Sequence, residues 1–234
     1  MKAVVPAAGE GTRLRPLTTD RPKALVDVAG KPLLARVLDA VVPLDVDEVV
    51  VVVGYRAADV VSRFGDVYDG VPVRYVRQPE TDGLADAVLA AERAVGGDFL
   101  VVNGDNAIDA DLGPVVDHHR EHSPEATVPV TRVEPEAARE TGVAVVDDGR
   151  VRSVVEKPDD PPSRWAMAGL QVFSPRIFDA CRLVTPSSRG ELELSAAIDL
   201  LARAGHRVDA VDLPGWRLNV NTPEDVEAAT RRLE

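Results

Sequence analysis

Cysteine is almost missing from this chain. Cys181 stands alone among 234 residues, so no internal disulfide can form, and the side chain is expected to serve as a small buried hydrophobe. Long apolar runs are missing too. None approaches the roughly 20 residues of a membrane-spanning helix, and the opening Met-Lys-Ala-Val-Val is too short for the core of a signal peptide, so a cytoplasmic protein with no membrane partner is expected. Positive charge is scarce: 27 Lys plus Arg against 39 Asp plus Glu leave a formal net charge of −12, which argues against nucleic acid or an anionic bilayer as partner. An anionic ligand would need a local cluster of cations. Lysine is nearly absent, with only Lys2, Lys23, Lys31 and Lys157. Because arginine fills the other cationic positions, each lysine marks a place where a compact, flexible point charge is wanted rather than a planar fork. The acidic surplus and 4% aromatic content fit a salt-rich cytoplasm and the bias of a GC-rich genome equally.

What is present describes a globular protein large enough for one well-buried core, at 45% hydrophobic and 28% charged residues. Valine-rich runs at Ala3–Pro6, Glu48–Val53, Val73–Arg77 and Phe99–Val102 alternate with segments of helical length and spacing at Leu33–Val42, Ala57–Phe64 and Leu84–Val95. Strands unbroken by polar residues and separated by helices predict an α/β fold with a mostly parallel sheet covered on both faces. Beyond about residue 124 the rhythm turns β-rich, with strands expected at Ala126–Val133, Val143–Val146, Val151–Glu156 and Met167–Phe173, a loop at 159–163 and a helix at Leu192–Ala204. Thr222-Pro223-Glu224-Asp225 reads as a helix start with Thr222 as N-cap. No repeat or linker divides the chain, so a single domain is expected.

The most informative stretch is Pro6-Ala-Ala8-Gly9-Glu-Gly11-Thr12-Arg13, followed ten residues later by Lys23. A Walker loop would close on Gly-Lys-Ser/Thr, and a dinucleotide fingerprint would put a third glycine at Leu14; neither fits. A lone G-x-G is most often an ordinary turn, but here a guanidinium and an ammonium follow it. Glycines admit phosphate oxygens to the backbone N–H groups, and Arg13 can hold two oxygens at once, which makes a polyphosphate cradle. Ligands of parallel sheets bind beyond the carboxyl ends of the strands, where this turn, Gln78 and Asn103-Gly-Asp105-Asn106 all fall, so the three should converge. The Asp105 carboxylate with the Asn219 amide and substrate phosphates would suit Mg²⁺, which keeps few protein ligands. His118-His119-Arg-Glu-His122 has the glutamate of a zinc-protease motif misplaced and is expected to be a solvated helix face.

Together these motifs resemble the nucleoside-triphosphate:sugar-1-phosphate nucleotidylyltransferase family, near its glucose-1-phosphate uridylyl- and thymidylyltransferases. The resemblance runs in order through the glycine turn, Pro22-Lys23, Gly30-Lys-Pro32, Gln78-Pro with Asp82-Gly83-Leu-Ala85, Gly104-Asp105-Asn106, Gly142-Val, Glu156-Lys157-Pro158, Ala168-Gly169, Gly190-Glu191-Leu-Glu193 and Asn219-Val-Asn-Thr-Pro223. It implies a nucleotide-binding part over about 1–124 and a sugar-binding part over about 125–234. Ala8, Gly9, Gly11, Thr12 and Arg13 would bind the triphosphate, Lys23 would reach its phosphates, and Gln78 with Gly83 would read a pyrimidine base. Asp105 and Asn219 would hold Mg²⁺. Gly142, Glu156, Gly169 and Glu191 would line the sugar pocket, and Lys157 would grip the sugar's phosphate. The catalytic set would be Arg13, Lys23, Asp105 and Lys157.

Pro6 stands where the family has an aliphatic residue, tolerable at a strand end that needs no ladder N–H. Asn219 stands where glucose-specific members mostly have Asp, which leaves the sugar open. The end at Glu234 leaves no expectation of a regulatory helical extension or an acyltransferase solenoid. Partners are therefore a nucleoside triphosphate, UTP or dTTP, and a sugar-1-phosphate, with a homo-oligomer compatible. N-acetylglucosamine-1-phosphate uridylyltransferase and mannose-1-phosphate guanylyltransferase are alternative activities. A catalytically silent sugar-nucleotide-binding subunit is the alternative of another class, one that would have lost Arg13, Lys23 or Asp105.

Overall fold

The computed structural model describes residues 1–80 and 82–234. Its centre is four parallel strands in the spatial order Phe99–Val102, Lys2–Pro6, Val49–Val53, Val71–Arg77. Strand side chains alternate between faces, and the alternation sorts the valines into two cores. Val4, Val50, Val52 and Val101 pack with Val88, Phe173 and Ile177 on one side; Val5, Val49, Val51 and Val53 pack with Leu34, Leu38 and Val41 on the other. Hence the all-valine run Val49–Val53 is buried at every position. Pro6 ends its strand without leaving a gap, since its carbonyl accepts from the Gly104 backbone N–H at 2.9 Å.

Leu170–Phe173 joins antiparallel beside Phe99–Val102 and carries the sheet onward to eleven strands. At its far end the sheet curls into a ring. Ala126–Arg132 pairs through Ala126 and Thr127 with Leu170–Phe173 and through Val130–Arg132 with Trp165–Met167. Its other edge takes Val208–Asp212 in parallel, and Arg150–Glu156 with Gly142–Asp147 complete the circuit. One hydrophobic core runs through both halves, from Val4 to Val208.

Among the described residues there are eight α-helices. The expected helix Leu84–Val95 is shorter: it stops at Ala90, because the Ala91 N–H bonds back to the Val88 carbonyl, three residues away, and the chain tightens into a 3₁₀ turn at Glu92–Ala94. The expected strand Met167–Phe173 divides at Ala168-Gly169, where Gly169 takes a φ of 56°. The sequence reading missed Val208–Asp212 and the two-residue strands Asp27–Val28, Lys31–Pro32 and Val67–Tyr68, and it missed Asn106–Ala110 and Gly215–Asn219, which form a separate two-stranded ribbon. The expectation of a solvated histidine face is corrected. Gly113–His122 packs on Ala126–Arg132 through Val115, Val116 and His119; His119 is fully buried with Nδ1 at 2.9 Å from the Thr127 hydroxyl, and only His122 of the three lies exposed. The last helix, Pro223–Leu233, begins as the sequence indicated, with Thr222 and Asp225 forming a reciprocal capping box.

Candidate active site

The carboxyl ends of the parallel strands are stitched together by backbone hydrogen bonds. Ala7 donates to Val52 at 2.8 Å, Gly104 to Pro6 at 2.9 Å and Tyr55 to Ala8 at 3.2 Å. This brings the glycine turn, Gln78 and Gly104-Asp105 to one open cavity of about 510 Å³, with Ala8, Gly9, Gly11, Thr12, Arg13, Lys23 and Gly83 on its walls. Gly11 is in the left-handed region, φ 73°, and a Cβ there would sit 2.9 Å from Cβ of Lys23, so glycine lets the lysine stem lie flat against the turn. Lys23 follows Pro22 on a short 3₁₀ turn and points its ammonium inward. Nζ donates to Asp105 Oδ2 at 2.9 Å and to Asn221 Oδ1 at 2.8 Å, and Arg13 Nη2 donates to the same Asn221 oxygen at 3.2 Å. The remaining oxygen of Asp105, Oδ1, is buried with no partner among the described residues.

Gln78 is buried, and its Nε2 donates to Asp86 Oδ2 at 2.7 Å and to the Gly83 carbonyl at 3.3 Å. The turn that carries Gly83 is locked to the other half of the molecule: the Leu192 N–H donates to Asp82 at 2.6 Å and the Ala85 N–H to Leu192 at 2.9 Å. Beyond Leu84 and Asn103, which belong to both, lies a second cavity of about 110 Å³ walled by Gly142, Glu156, Met167, Gly169, Glu193 and Asn219. Here the chemistry changes from cationic to carboxylate. Burial pushes the Glu156 carboxyl above its ordinary value, with the neighbouring Glu193 charge adding to the effect. Arg189 bridges the two acids, 2.6 Å from Glu193 Oε1 and 3.6 Å from Glu156 Oε1. Asn103 Oδ1 and Gln171 Oε1 on the wall of this cavity are buried polar atoms without partners among the described residues, which leaves them able to meet a polar ligand.

Most residues singled out from the sequence come together at these two cavities, with three differences in placement. Glu191 falls on the wall of the outer cavity, while Glu193, two residues on, takes the inner position. Lys157 is exposed, at φ 43° with its N–H on the Thr141 carbonyl, and its side chain stands outside both walls. Asn219 borders the inner cavity, where its Oδ1 accepts from Arg217 Nη1 at 3.3 Å. Among the described residues no three His, Cys, Asp or Glu side chains cluster as a self-sufficient metal centre. Sequence reasoning missed Asn221, although it sits in the quoted Asn219-Val-Asn-Thr-Pro223 segment, and it missed Glu193 and Gln171.

A cationic cavity at the carboxyl ends of a parallel sheet thus shares a wall with a smaller, carboxylate-lined one. The chain belongs to the nucleotidyl transferase family, whose model matches residues 2–233. It is 47% identical over 235 residues to the UTP–glucose-1-phosphate uridylyltransferase AglF of Haloferax volcanii, covering 100% of this chain and 97% of that one. It is 39% identical over 238 residues to a glucose-1-phosphate thymidylyltransferase of Streptomyces griseus, covering 100% of this chain and 67% of the relative. In fold it matches a UDP-glucose pyrophosphorylase solved with UDP-glucose, at a TM-score of 0.90 over 99% of this chain and 97% of that one, with 24% identity. The protein is thus an enzyme that transfers nucleotidyl groups.

Proposed function

We propose that this enzyme transfers the uridylyl group of UTP to glucose 1-phosphate, with dTTP as the alternative donor, giving a nucleotide-sugar and pyrophosphate. The reading is carried by the shared wall at Leu84 and Asn103, which sets a triphosphate cradle beside a hydroxyl-binding pocket. The 47% identity to a uridylyltransferase along the full chain supports UTP and glucose 1-phosphate as the pair. Residues 1–124 supply most of the nucleotide site, and 125–234 most of the sugar site.

A phosphate oxygen of glucose 1-phosphate attacks the α-phosphorus, forming a P–O bond, while the bond to the bridging oxygen breaks and pyrophosphate leaves with the electron pair. The attacking oxygen is already anionic, so no general base is required. Catalysis comes from alignment and from cations placed where charge develops. The Gly9–Arg13 turn holds the β- and γ-phosphates, Lys23 turns from Asp105 to the α-phosphate, and Lys157 swings in to the sugar phosphate. With Nε2 of Gln78 committed to Asp86, Oε1 is left for the N3–H of uracil or thymine. Glu156, Glu193 and the Gly142 backbone meet sugar hydroxyls. The Oδ1 of Asp105, unpartnered among the described residues, suits Mg²⁺, and Asp105 would hold the ion with the Asn219 amide, from the inner cavity, as second ligand. When bound, the ion neutralises phosphate charge.

The test is pyrophosphate release from a panel of nucleoside triphosphates against several sugar 1-phosphates, with and without EDTA. UTP with glucose 1-phosphate should be the best pair and EDTA should abolish turnover. Activity confined to GTP with mannose 1-phosphate, full activity in EDTA, or binding without turnover would overturn the reading. The last of these would point to a silent regulatory subunit, which the joined set Arg13, Lys23 and Asp105 argues against.

A further inference from the structure

We infer that Asn221 is a positioning residue of the transfer reaction: its single amide oxygen gathers Arg13 and Lys23 into the arrangement that receives the triphosphate, and releases them to phosphate oxygens when nucleotide binds. The inference rests on the function proposed above and deepens it.

Two cations that must grip one anion repel each other before it arrives. Lys23 is anchored by Asp105 and is largely buried, with 14% of its side chain exposed. Arg13 is exposed, and among the described residues the one side-chain hydrogen bond of its guanidinium is that to Asn221. Without that acceptor the guanidinium would sample open solvent, and nucleotide binding would carry the cost of immobilising it. The oxygen itself stands on a rigid support. The Asn221 and Thr222 N–H groups both donate to Asp225 Oδ2 at 2.9 Å, and the preceding Val220 N–H donates to the Asp105 carbonyl at 2.8 Å. The capping box of the last helix therefore places a side chain 198 residues from Lys23 and 208 from Arg13 at the point where the two cations meet.

The choice of an amide has an electrostatic reason. Arg13 and Lys23 bring two positive charges and Asp105 one negative, leaving this hydrogen-bonded cluster one positive charge in a chain whose net charge is −12. A carboxylate at 221 would cancel it. It would also form stronger, charge-assisted bonds to both cations, which a triphosphate would have to break. A neutral oxygen orients the pair without competing for them.

The test uses the full-length protein with Asn221→Ala and Asn221→Asp, reading UTP and pyrophosphate binding by calorimetry, the KM for each substrate, and Tm. Asn221→Ala should weaken UTP and pyrophosphate about 3–10-fold, equivalent to about 0.7–1.4 kcal/mol, while the KM for glucose 1-phosphate stays within about twofold. Asn221→Asp, nearly isosteric, should weaken both anions further yet melt no lower than wild type. A residue that only shaped the turn would move Tm and leave the anions alone. Wild-type affinity for UTP and pyrophosphate in both variants, or an equal rise in the KM for glucose 1-phosphate, would overturn the inference while leaving the proposed function standing. If the wild-type protein itself bound neither UTP nor pyrophosphate, the function would fall first.

Discussion

Replacing Gly83 by alanine probes a turn that faces both cavities. Gly83 has φ 125° and ψ −177°, a region open to glycine alone, and an added Cβ would lie 2.6 Å from both N and O of Leu192, far inside any real contact. The chain has two ways to respond. It can keep the backbone clamp to Leu192 and bear strain of about 1–3 kcal/mol. Otherwise it moves away and loses the Leu192–Asp82 and Ala85–Leu192 hydrogen bonds, each worth about 0.5–1.5 kcal/mol. Either route costs about 1–3 kcal/mol, and at roughly 2–4 °C per kcal/mol for a chain of this size Tm should fall by about 2–12 °C. Because Leu84, the next residue, walls both cavities, the KM values for nucleotide and for sugar phosphate should rise together. Gly97→Ala is the control, since a Cβ there meets nothing within 4 Å. Differential scanning calorimetry with steady-state kinetics on both variants decides the matter. A Gly83→Ala protein that melts within about 1 °C of wild type with both KM values unchanged would refute the clamp.

Gly142→Ala would put a methyl 2.7 Å from Cε of Met167 and 2.9 Å from Oε2 of Glu156, so the KM for glucose 1-phosphate should rise while the Kd for UTP by calorimetry does not. Lys23→Ala should lower kcat by about 100-fold or more, and Lys23→Arg should not restore it, because a planar fork does not fit the niche between Gly11, Asp105 and Asn221; near-wild-type turnover in Lys23→Arg would show otherwise. Glu156, raised above the ordinary 4.5 by burial, holds its proton more tightly folded than unfolded. The stability this contributes is present below the unfolded value and is lost as pH climbs through the folded one, so Glu156→Gln should flatten that part of a Tm-against-pH curve. Burial pushes the Cys181 thiol up to about 12, so a thiol reagent should label the chain only as it unfolds; rapid labelling of the native protein would contradict the packing.

Some of this was legible in the residues and some was not, for identifiable reasons. Val49–Val53 announces a strand buried on both faces because nothing polar interrupts it, and Thr222-Pro-Glu-Asp announces a helix start because capping chemistry is local. Asn106–Ala110 and Gly215–Asn219 give a weaker signal: each has one partner strand and no valine, the first does not alternate and the second alternates only over Trp216–Asn219, and they pair across more than a hundred residues. His119 was misjudged because its neighbours are polar, while the 115–119 spacing that turns it inward shows only when Val115 is counted with it. The place of the glycine turn on the cavity wall was readable because its signal lies in contiguous residues right after a strand. Which of Glu191 and Glu193 enters which cavity was not, since that depends on how Leu192 is clamped to the 82–85 turn.

Asn221 marks the limit most clearly. Nothing about an asparagine before a helix cap points to phosphate chemistry, and its meaning appears only when the sheet has carried Arg13, Lys23 and Asp105 to the same place. Of the sparse lysines, Lys23 lies on the cavity wall and Lys157 does not. In an acidic chain a phosphate site depends on a few cations held against their mutual repulsion, and the groups that hold them are neutral or singly acidic and come from far along the sequence. A site of this kind is announced by its charged members and completed by residues that only the fold can identify.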